Sequence, residues 1–192
     1  MVARSASAVQ WAQSFIAPVL VPGCLAVDAT AGNGRDTLFL ARGVGPQGKV
    51  FAFDIQIQAL EKTREQLAGA GLLDRVILLA ADHREMAAHV PGAVKAVMFN
   101  LGYLPGGDHR IITRPESTLE ALKAALSLLA SGGRISLVVY TGHPGATEEL
   151  RVVEEFTRGL SPRQYTVVRL SFWNRSSRAP VVILLEKAGA EV

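Results

Sequence analysis

Val27-Asp28-Ala29-Thr30-Ala31-Gly32-Asn33-Gly34-Arg35-Asp36 sets the reading of the whole chain. An apolar run ends on an acid, two glycines follow, and a helical pattern begins. That order is strand, loop, helix. Glycine lets the backbone turn sharply and lets a ligand approach closely. The helix start offers free amides and the positive end of its dipole, which suit a carboxylate or a phosphate. The dinucleotide-binding loop has the form Gly-x-Gly-x-x-Gly. Here Thr37 holds the third glycine position after Gly32 and Gly34, so that fingerprint fails. Asp28 stands where its charge would repel a pyrophosphate. It suits the ammonium of a methionine moiety, while the loop amides suit the carboxylate. A bare glycine loop also fits an ordinary strand-to-helix turn. With Asp28 in front of it, S-adenosylmethionine is the better reading.

Working outward, apolar β-branched runs alternate with helical patterns. Strands are expected at 25–28, 49–54, 76–80, 94–100, 134–140, 165–172 and 181–186. Helices are expected at 6–16, 35–41, 57–70, just after His83, at 116–129 and at 147–160. The strands are nearly continuously apolar, as parallel strands covered on both faces should be. Only about eight residues separate the last two strands, too few for a helical crossover, so these should pair antiparallel. The expectation is a single α/β domain with a seven-stranded, mostly parallel, doubly wound sheet and an antiparallel C-terminal hairpin. That arrangement resembles the Rossmann-like class I methyltransferases.

Composition narrows the classes further. At 192 residues and 49% apolar the chain suits one domain with a real core. No apolar run approaches the ~20 residues of a spanning helix, and the first residues lack the apolar stretch of a signal peptide. The expectation is a cytoplasmic protein with no membrane partner. Cys24 is the sole cysteine, so no internal disulfide or cysteine metal cluster can form, and no metal is expected. Cys24 reads as a small buried residue beside the first strand. A net charge of +3 permits a polyanionic partner without requiring one. Arg110, Arg114, Arg175 and Arg178 all fall in expected loops.

The other strand tips carry polar groups too. Asp54 closes the second strand twenty residues after Gly34, where an acid can accept both hydroxyls of a ribose. A helix cap is the competing role. Gln56 can line the same site. Asp82 can accept from an adenine amino group and His83 can pack on the ring, with an N-cap again the competing role. The fourth strand ends Phe99-Asn100-Leu101-Gly102-Tyr103-Leu104-Pro105-Gly106-Gly107-Asp108. Amine-directed methyltransferases often carry an Asn-Pro-Pro-Tyr relative at this place. Methyl transfer to nitrogen needs the lone pair aimed at the methyl carbon, in line with the departing sulfur. The Asn100 amide oxygen and the Leu101 carbonyl would hold the N–H groups, and Tyr103 would pack the target. An alkylammonium must first lose a proton, and Tyr140, His143 or water are all open as its acceptor.

Four stretches together resemble one family: 28–36, 52–56, 99–108 and Tyr-Thr-Gly-His-Pro-Gly at 140–145, with Glu148-Glu149, Asn174 and Pro180. The family is known as rRNA methylases. Its characterised members are tRNA wobble-uridine methyltransferases that convert 5-aminomethyluridine, often 2-thiolated, to 5-methylaminomethyluridine. The likeness runs from about residue 5 to 187. It implies that Asp28, Asn33, Asp54, Gln56, Asp82 and His83 form the S-adenosylmethionine site, and that Asn100, Tyr103, Tyr140 and His143 surround the target amine. It also implies a homodimer and a tRNA anticodon stem-loop as partner. Arg110, Arg114, Arg175 and Arg178 would then meet phosphates and Trp173 would stack a base. His109 stands where a lysine is common, and 144–146 replace a usual Gly-Gly pair. His89 receives no role, and Trp11 is expected to anchor the core. The competing readings are an rRNA or small-amine methyltransferase and a non-catalytic nucleotide- or RNA-binding module. Thr37 argues against an NAD-linked oxidoreductase.

Overall fold

In the computed structural model, residues 6–102, 112–176 and 178–189 are described. The elements are α1 (Ala8–Ile16), β1 (Leu25–Asp28), α2 (Arg35–Gly43), β2 (Lys49–Phe53), α3 (Ile57–Gly69), β3 (Val76–Leu79) and α4 (Met86–His89). They continue with β4 (Val94–Leu101), α5 (Pro115–Leu128), β5 (Leu129–Val139), α6 (Ala146–Arg158), β6 (Tyr165–Leu170) and β7 (Val181–Lys187). The seven strands form one sheet in the order β3-β2-β1-β4-β5-β7-β6. The first five are parallel, and β7 runs antiparallel to both β5 and β6. The chain winds outward from β1 in one direction and from β4 in the other. The reversal lies between those two neighbours, where open α/β sheets bind ligands at their carboxyl edge.

Burial on both faces explains the continuous apolar strands. Val97, Phe99 and Leu101 of β4 join Phe53, Met86, Leu122, Ile135 and Val153 under α4, α5 and α6. Ala96 and Met98, one step away on the same strand, join Ile16, Leu40, Leu67 and Val138 under α1, α2 and α3. Each fully buried Leu, Ile or Phe contributes about 1.5–3 kcal/mol relative to an exposed one. The strand tips are therefore anchored by a core on either side. On the edge strand β6, Tyr165 and Val167 pack inward while Thr166 and Val168 are exposed.

Local chemistry sets several boundaries. At Ser7 a capping box forms, with Gln10 N–H donating to Ser7 Oγ (3.2 Å) and Ser7 N–H to Gln10 Oε1 (2.8 Å). The two bonds satisfy amides that the helix leaves open, so α1 starts at Ala8 rather than at residue 6. Pro115 opens α5 at a position that needs no N–H. Strand β5 begins five residues earlier than expected, because Leu129 pairs with Val94 before the chain bulges at Gly132, whose φ is 68°. The Ser-Gly-Gly run there reads as a turn from sequence. Strand β6 stops at Leu170, the last residue with a partner on β7.

Trp11 is the clearest departure. It is 49% exposed, not a core anchor. The buried face of α1 is Ala8, Ala12 and Ile16, and at 100° per residue Trp11 falls to one flank of that stripe. Cys24 is half-buried rather than fully so. Among the described residues no helix is long and apolar enough to cross a membrane.

Candidate active site

The loop between β1 and α2 is tied to both neighbouring strand tips. Ala31 N–H donates to Phe53 O (2.8 Å) and Ala29 N–H to Met98 O (2.9 Å). Gly34 caps α2 with φ 77°, and a side chain there would meet Thr63 Oγ1 at 2.9 Å. Both facts require glycine. Thr63 and Gln66 of α3 hold the loop from outside, donating to Gly32 O (3.1 Å) and Asn33 O (2.8 Å).

Asp28 lies beneath this loop. It is 1% exposed, and its oxygens accept from Thr30 N–H (3.1 Å) and Thr37 Oγ1 (2.6 Å). Burial, then the Asp36 charge, pushes its carboxyl up to about 7 against those two donors. Asp54 stands at the tip of β2, half-buried, accepting from Gly32 N–H (2.9 Å) and Gln56 N–H (2.8 Å). Burial raises its carboxyl as well. Gln56 is the N-cap residue of α3 but makes no side-chain cap bond. Ile55 between them is 57% exposed.

At the tip of β3, Asp82 does cap the following turn, accepting from Arg84 N–H (3.0 Å). Burial opposes its ionisation, yet that bond, the Ser117 hydroxyl (2.9 Å) and the His83 and Arg84 charges hold it below the usual carboxylate range. His83 is buried, with Nδ1 3.2 Å from Ala29 O and Nε2 2.9 Å from Ser117 Oγ. Burial holds its ring below the ordinary histidine range. Nδ1 faces a carbonyl, which can only accept, and so carries the proton, and the single Ser117 hydroxyl proton is then shared between Asp82 and Nε2. His89 is exposed at the end of α4, edge-on to Phe53.

Asn100 ends this row. Its backbone N–H donates to Thr30 Oγ1 (2.7 Å) and its side-chain Nδ2 donates to Asp36 Oδ2. Its Oδ1 is buried and has no hydrogen-bond partner among the described residues. Asp36, 4% exposed, accepts from Gln13 Nε2 (2.7 Å) with its other oxygen. The Leu101 carbonyl, expected to hold a ligand N–H, instead accepts from Tyr140 N–H (3.0 Å) within the sheet. Gly102 sits against Tyr140 and His143, where a Cβ would lie 3.4 Å from the tyrosine and 3.6 Å from His143 Nε2. Burial and then the Asp36 charge raise the Tyr140 hydroxyl.

The same edge of the sheet carries the expected RNA-facing groups. Thr113 N–H donates to Gly102 O (3.0 Å), which brings Arg114 back beside β4, exposed at the start of α5. Since β7 begins opposite Val139, the turn before it lies at the carboxyl edge too, and Thr141 Oγ1 donates to Ala179 O (3.2 Å). That turn exposes Arg178, Arg175 stacked 4.2 Å above Phe172, and Trp173 at 97% exposure. Tyr103, Asp108, His109 and Arg110 lie outside the described residues.

Several members of the cluster had no assigned role from sequence: Gln13, Thr30, Asp36, Thr37, Ile55 and Ser117. The Asp36-Thr37 pair, in the first turn after the glycine loop, was the available signal. Gln13 lies 23 residues before Asp36 and gave none. Glu149 is another. It is 1% exposed and accepts from Thr113 (2.8 Å) and Thr118 (2.7 Å), pinning the start of α5 to α6. A groove of about 550 Å³ between α1 and α2 is lined by Gln13, Arg35, Phe39 and Arg42. It opens off the flank of the cluster, and is not where the loop, Asp54 and Asn100 meet. Among the described residues no group of three or more His, Cys, Asp or Glu is placed to hold a metal ion.

Comparison with known proteins places this geometry in context. Residues 50–186 match the model of the family described as "Putative rRNA methylase". The chain is 44% identical over 179 residues to the chloroplastic tRNA (mnm(5)s(2)U34)-methyltransferase of Arabidopsis thaliana. That alignment covers 88% of this chain and 65% of the plant protein, so the chain spans slightly less than two thirds of this curated relative. A "putative rRNA-methylase" crystal structure from Clostridium thermocellum superposes with a TM-score of 0.93 at 42% identity, over 96% of this chain and 100% of that one. A Streptococcus mutans "putative methyltransferase" in complex with SAH superposes with a TM-score of 0.86 at 35% identity, over 97% and 99%.

Proposed function

The chain belongs to the family described as "Putative rRNA methylase", and from that premise we propose that it is an S-adenosylmethionine-dependent N-methyltransferase acting on tRNA. Its target is the 5-aminomethyl group of uridine, or 2-thiouridine, at the wobble position, and its product is 5-methylaminomethyluridine. The 44% identity to the plant tRNA (mnm(5)s(2)U34)-methyltransferase supports the substrate class. The single observation that carries the chemistry is Asn100 Oδ1, a buried acceptor without a partner among the described residues, at the tip of β4 next to the glycine loop. A buried polar atom left unpaired is costly, and an amine N–H is what it would accept.

The residues fit the methyl donor. Asp54 is fixed by two backbone amides and keeps lone pairs for the ribose hydroxyls. Exposed Ile55 offers an apolar face to a base, and His83 lies behind it. The Gly32 amide is taken by Asp54 (2.9 Å) and the Gly34 amide by Ala31 O (2.8 Å), against the expectation that the loop amides bind the ligand, so the carboxylate of a methionine moiety is left to the positive end of α2. Asp28 acts on the ammonium from beneath the loop, by its charge once the pH rises above about 7. When bound, S-adenosylmethionine supplies an electrophilic methyl group on sulfur. Asn100 then aims the acceptor nitrogen, whose lone pair forms the new bond as the carbon–sulfur bond breaks. Tyr140 and His143 flank the place where the displaced proton leaves. Arg114, Arg175 and Arg178 hold anticodon stem-loop phosphates, and Trp173 stacks a base. A homodimer is part of the same reading.

Incubation with tritiated S-adenosylmethionine tests it, offering tRNA from cells lacking this methyl step, ribosomes and small amines in parallel. Label is expected only in the tRNA anticodon. Label in ribosomal RNA or small amines, or none at all, overturns the assignment. Asn100→Ala should keep donor binding and lose about 10²-fold or more in turnover. Full activity in that variant would remove Asn100 from the acceptor site.

A further inference from the structure

We propose that Gln13, Asp36 and Asn100 form a relay in which Asp36 is the positioning residue that turns the Asn100 amide oxygen toward the acceptor nitrogen. The inference rests on the reading that Asn100 receives an amine, and adds what makes it able to do so. An asparagine amide has nearly the same shape in either of two orientations. One offers an acceptor to the cleft and the other a pair of donors. Only the first can hold an amine whose lone pair must point at the methyl carbon. Something outside the side chain must therefore choose.

Asp36 is the group that chooses. An ionised carboxylate only accepts hydrogen bonds, so it draws Nδ2 and leaves Oδ1 on the far side. The structure has this arrangement, with Nδ2 donating to Asp36 Oδ2 and Oδ1 buried without a partner among the described residues. Asp36 is itself 4% exposed, so burial raises its carboxyl, and no Lys or Arg among the described residues is in salt-bridge contact with it, Arg35 acting only through its charge. A buried carboxylate without a cation is costly. Its support is the Gln13 amide, which donates to Oδ1 at 2.7 Å. Gln13 comes from α1, ahead of the family-matched residues 50–186. The first helix thus reaches the acceptor side of the site through two hydrogen bonds in series. Thr30 fixes the asparagine backbone from the other side, through the 2.7 Å bond to Asn100 N–H. Rotation of the amide about its own axis is then the one freedom left for Asp36 to settle.

Exchange of the two groups tests the relay. In Asp36→Asn, with Gln13 keeping its Nε2 toward position 36, the new amide satisfies it with its oxygen and presents N–H groups to Asn100. Pairing the change with Gln13→Lys, which can only donate, holds that orientation. The Asn100 amide turns over and points donors at the amine. kcat is expected to fall about 10²-fold, while KM for S-adenosylmethionine stays within about twofold, since uniform binding is untouched. Adding Asn100→Asp to Asp36→Asn restores the pattern. The carboxylate at position 100 accepts from the amide at 36 with one oxygen and keeps the other for the amine, so kcat should recover at least tenfold over Asp36→Asn alone. Gln13→Leu, at a half-buried helix position, is the milder variant. It should lower kcat several-fold with KM unchanged, and it keeps the question open to measurement if Asp36→Asn does not fold.

Unaltered kcat in both single variants would refute the relay. So would an exchange variant no faster than Asp36→Asn with normal thermal unfolding. A loss confined to thermal stability would mean that Asp36 only ties α1 to α2. These results are separable from failure of the functional reading. If wild-type protein puts no label in tRNA, that reading falls first. If wild type is active, Asn100→Ala is not, and Asp36→Asn is as fast as wild type, the relay alone falls.

Discussion

Thr37→Val removes one hydroxyl and keeps the side chain's shape, and its cost should depend on pH. Thr37 is fully buried and donates to Asp28 at 2.6 Å. A buried hydrogen bond to a charged partner is worth about 2 kcal/mol, and one to a neutral partner about 1. Which value applies depends on the Asp28 proton. Burial and the Asp36 charge have raised that carboxyl to about 7, against about 3.9 in an unfolded chain. Between those values the native state holds the extra proton. The group's contribution to wild-type stability is therefore complete below pH ~3.9 and lost as pH rises to ~7. Without Thr37 the charged form loses about 1 kcal/mol more than the neutral form, which moves the carboxyl up by roughly 0.7 of a pH unit. The variant should lose about 1 kcal/mol at pH 5.5 and about 2 at pH 8.5. For a chain of this size that is a Tm drop of roughly 2–4 °C at the lower pH and 4–8 °C at the higher. Urea unfolding of both proteins at the two pH values measures the difference directly, and contributions common to both cancel in it. Equal losses at the two pH values, or a larger one in acid, would refute the assignment of the Asp28 proton.

Two further outcomes concern the ends of the substrate site. Asp54→Ala should weaken S-adenosylmethionine binding by calorimetry, by at least tenfold if the two ribose bonds are each worth about 1 kcal/mol, while the fold persists; undiminished affinity would remove Asp54 from the ribose. Trp173→Ala should leave thermal stability unchanged, because the side chain is 97% exposed, yet raise the Kd for tRNA by about 1–3 kcal/mol if a base stacks on it; unchanged tRNA affinity would return Trp173 to an ordinary surface position.

Most of the sheet could be read in advance because its strands are buried on both faces. β1, β2 and β4 announce themselves as apolar runs bounded by glycine, acid or asparagine, and the short gap before β7 forces its direction. What escaped has identifiable causes. Trp11 is large and apolar, but one helical step off the Ala8–Ala12–Ile16 stripe. Leu129 pairs ahead of a Ser-Gly-Gly bulge that reads as a turn. Asp28, Asp54 and Asn100 were legible because each ends a strand, and ends of parallel strands share one edge. Gln13 was not, and Glu149 stood out only through the resemblance and without a role, because each reaches its partner from a helix whose approach depends on packing. Nothing in the sequence reveals that the Leu101 carbonyl is taken by Tyr140 N–H.

The side-by-side placement of β1 and β4, with two strand–helix units between them in the chain, has a consequence for how such an enzyme diversifies. It makes the molecule two lobes joined along a seam. On the proposed reading, the lobe ending in β3 handles the group that is given away, and the lobe from β4 to the last hairpin meets whatever receives it. Across that seam Thr30 and Asp36 hydrogen-bond the asparagine on the far side. Drift in the second lobe would, on the same reading, retarget the enzyme to a new recipient as long as Ser117, which holds Asp82 and His83 from α5, is kept.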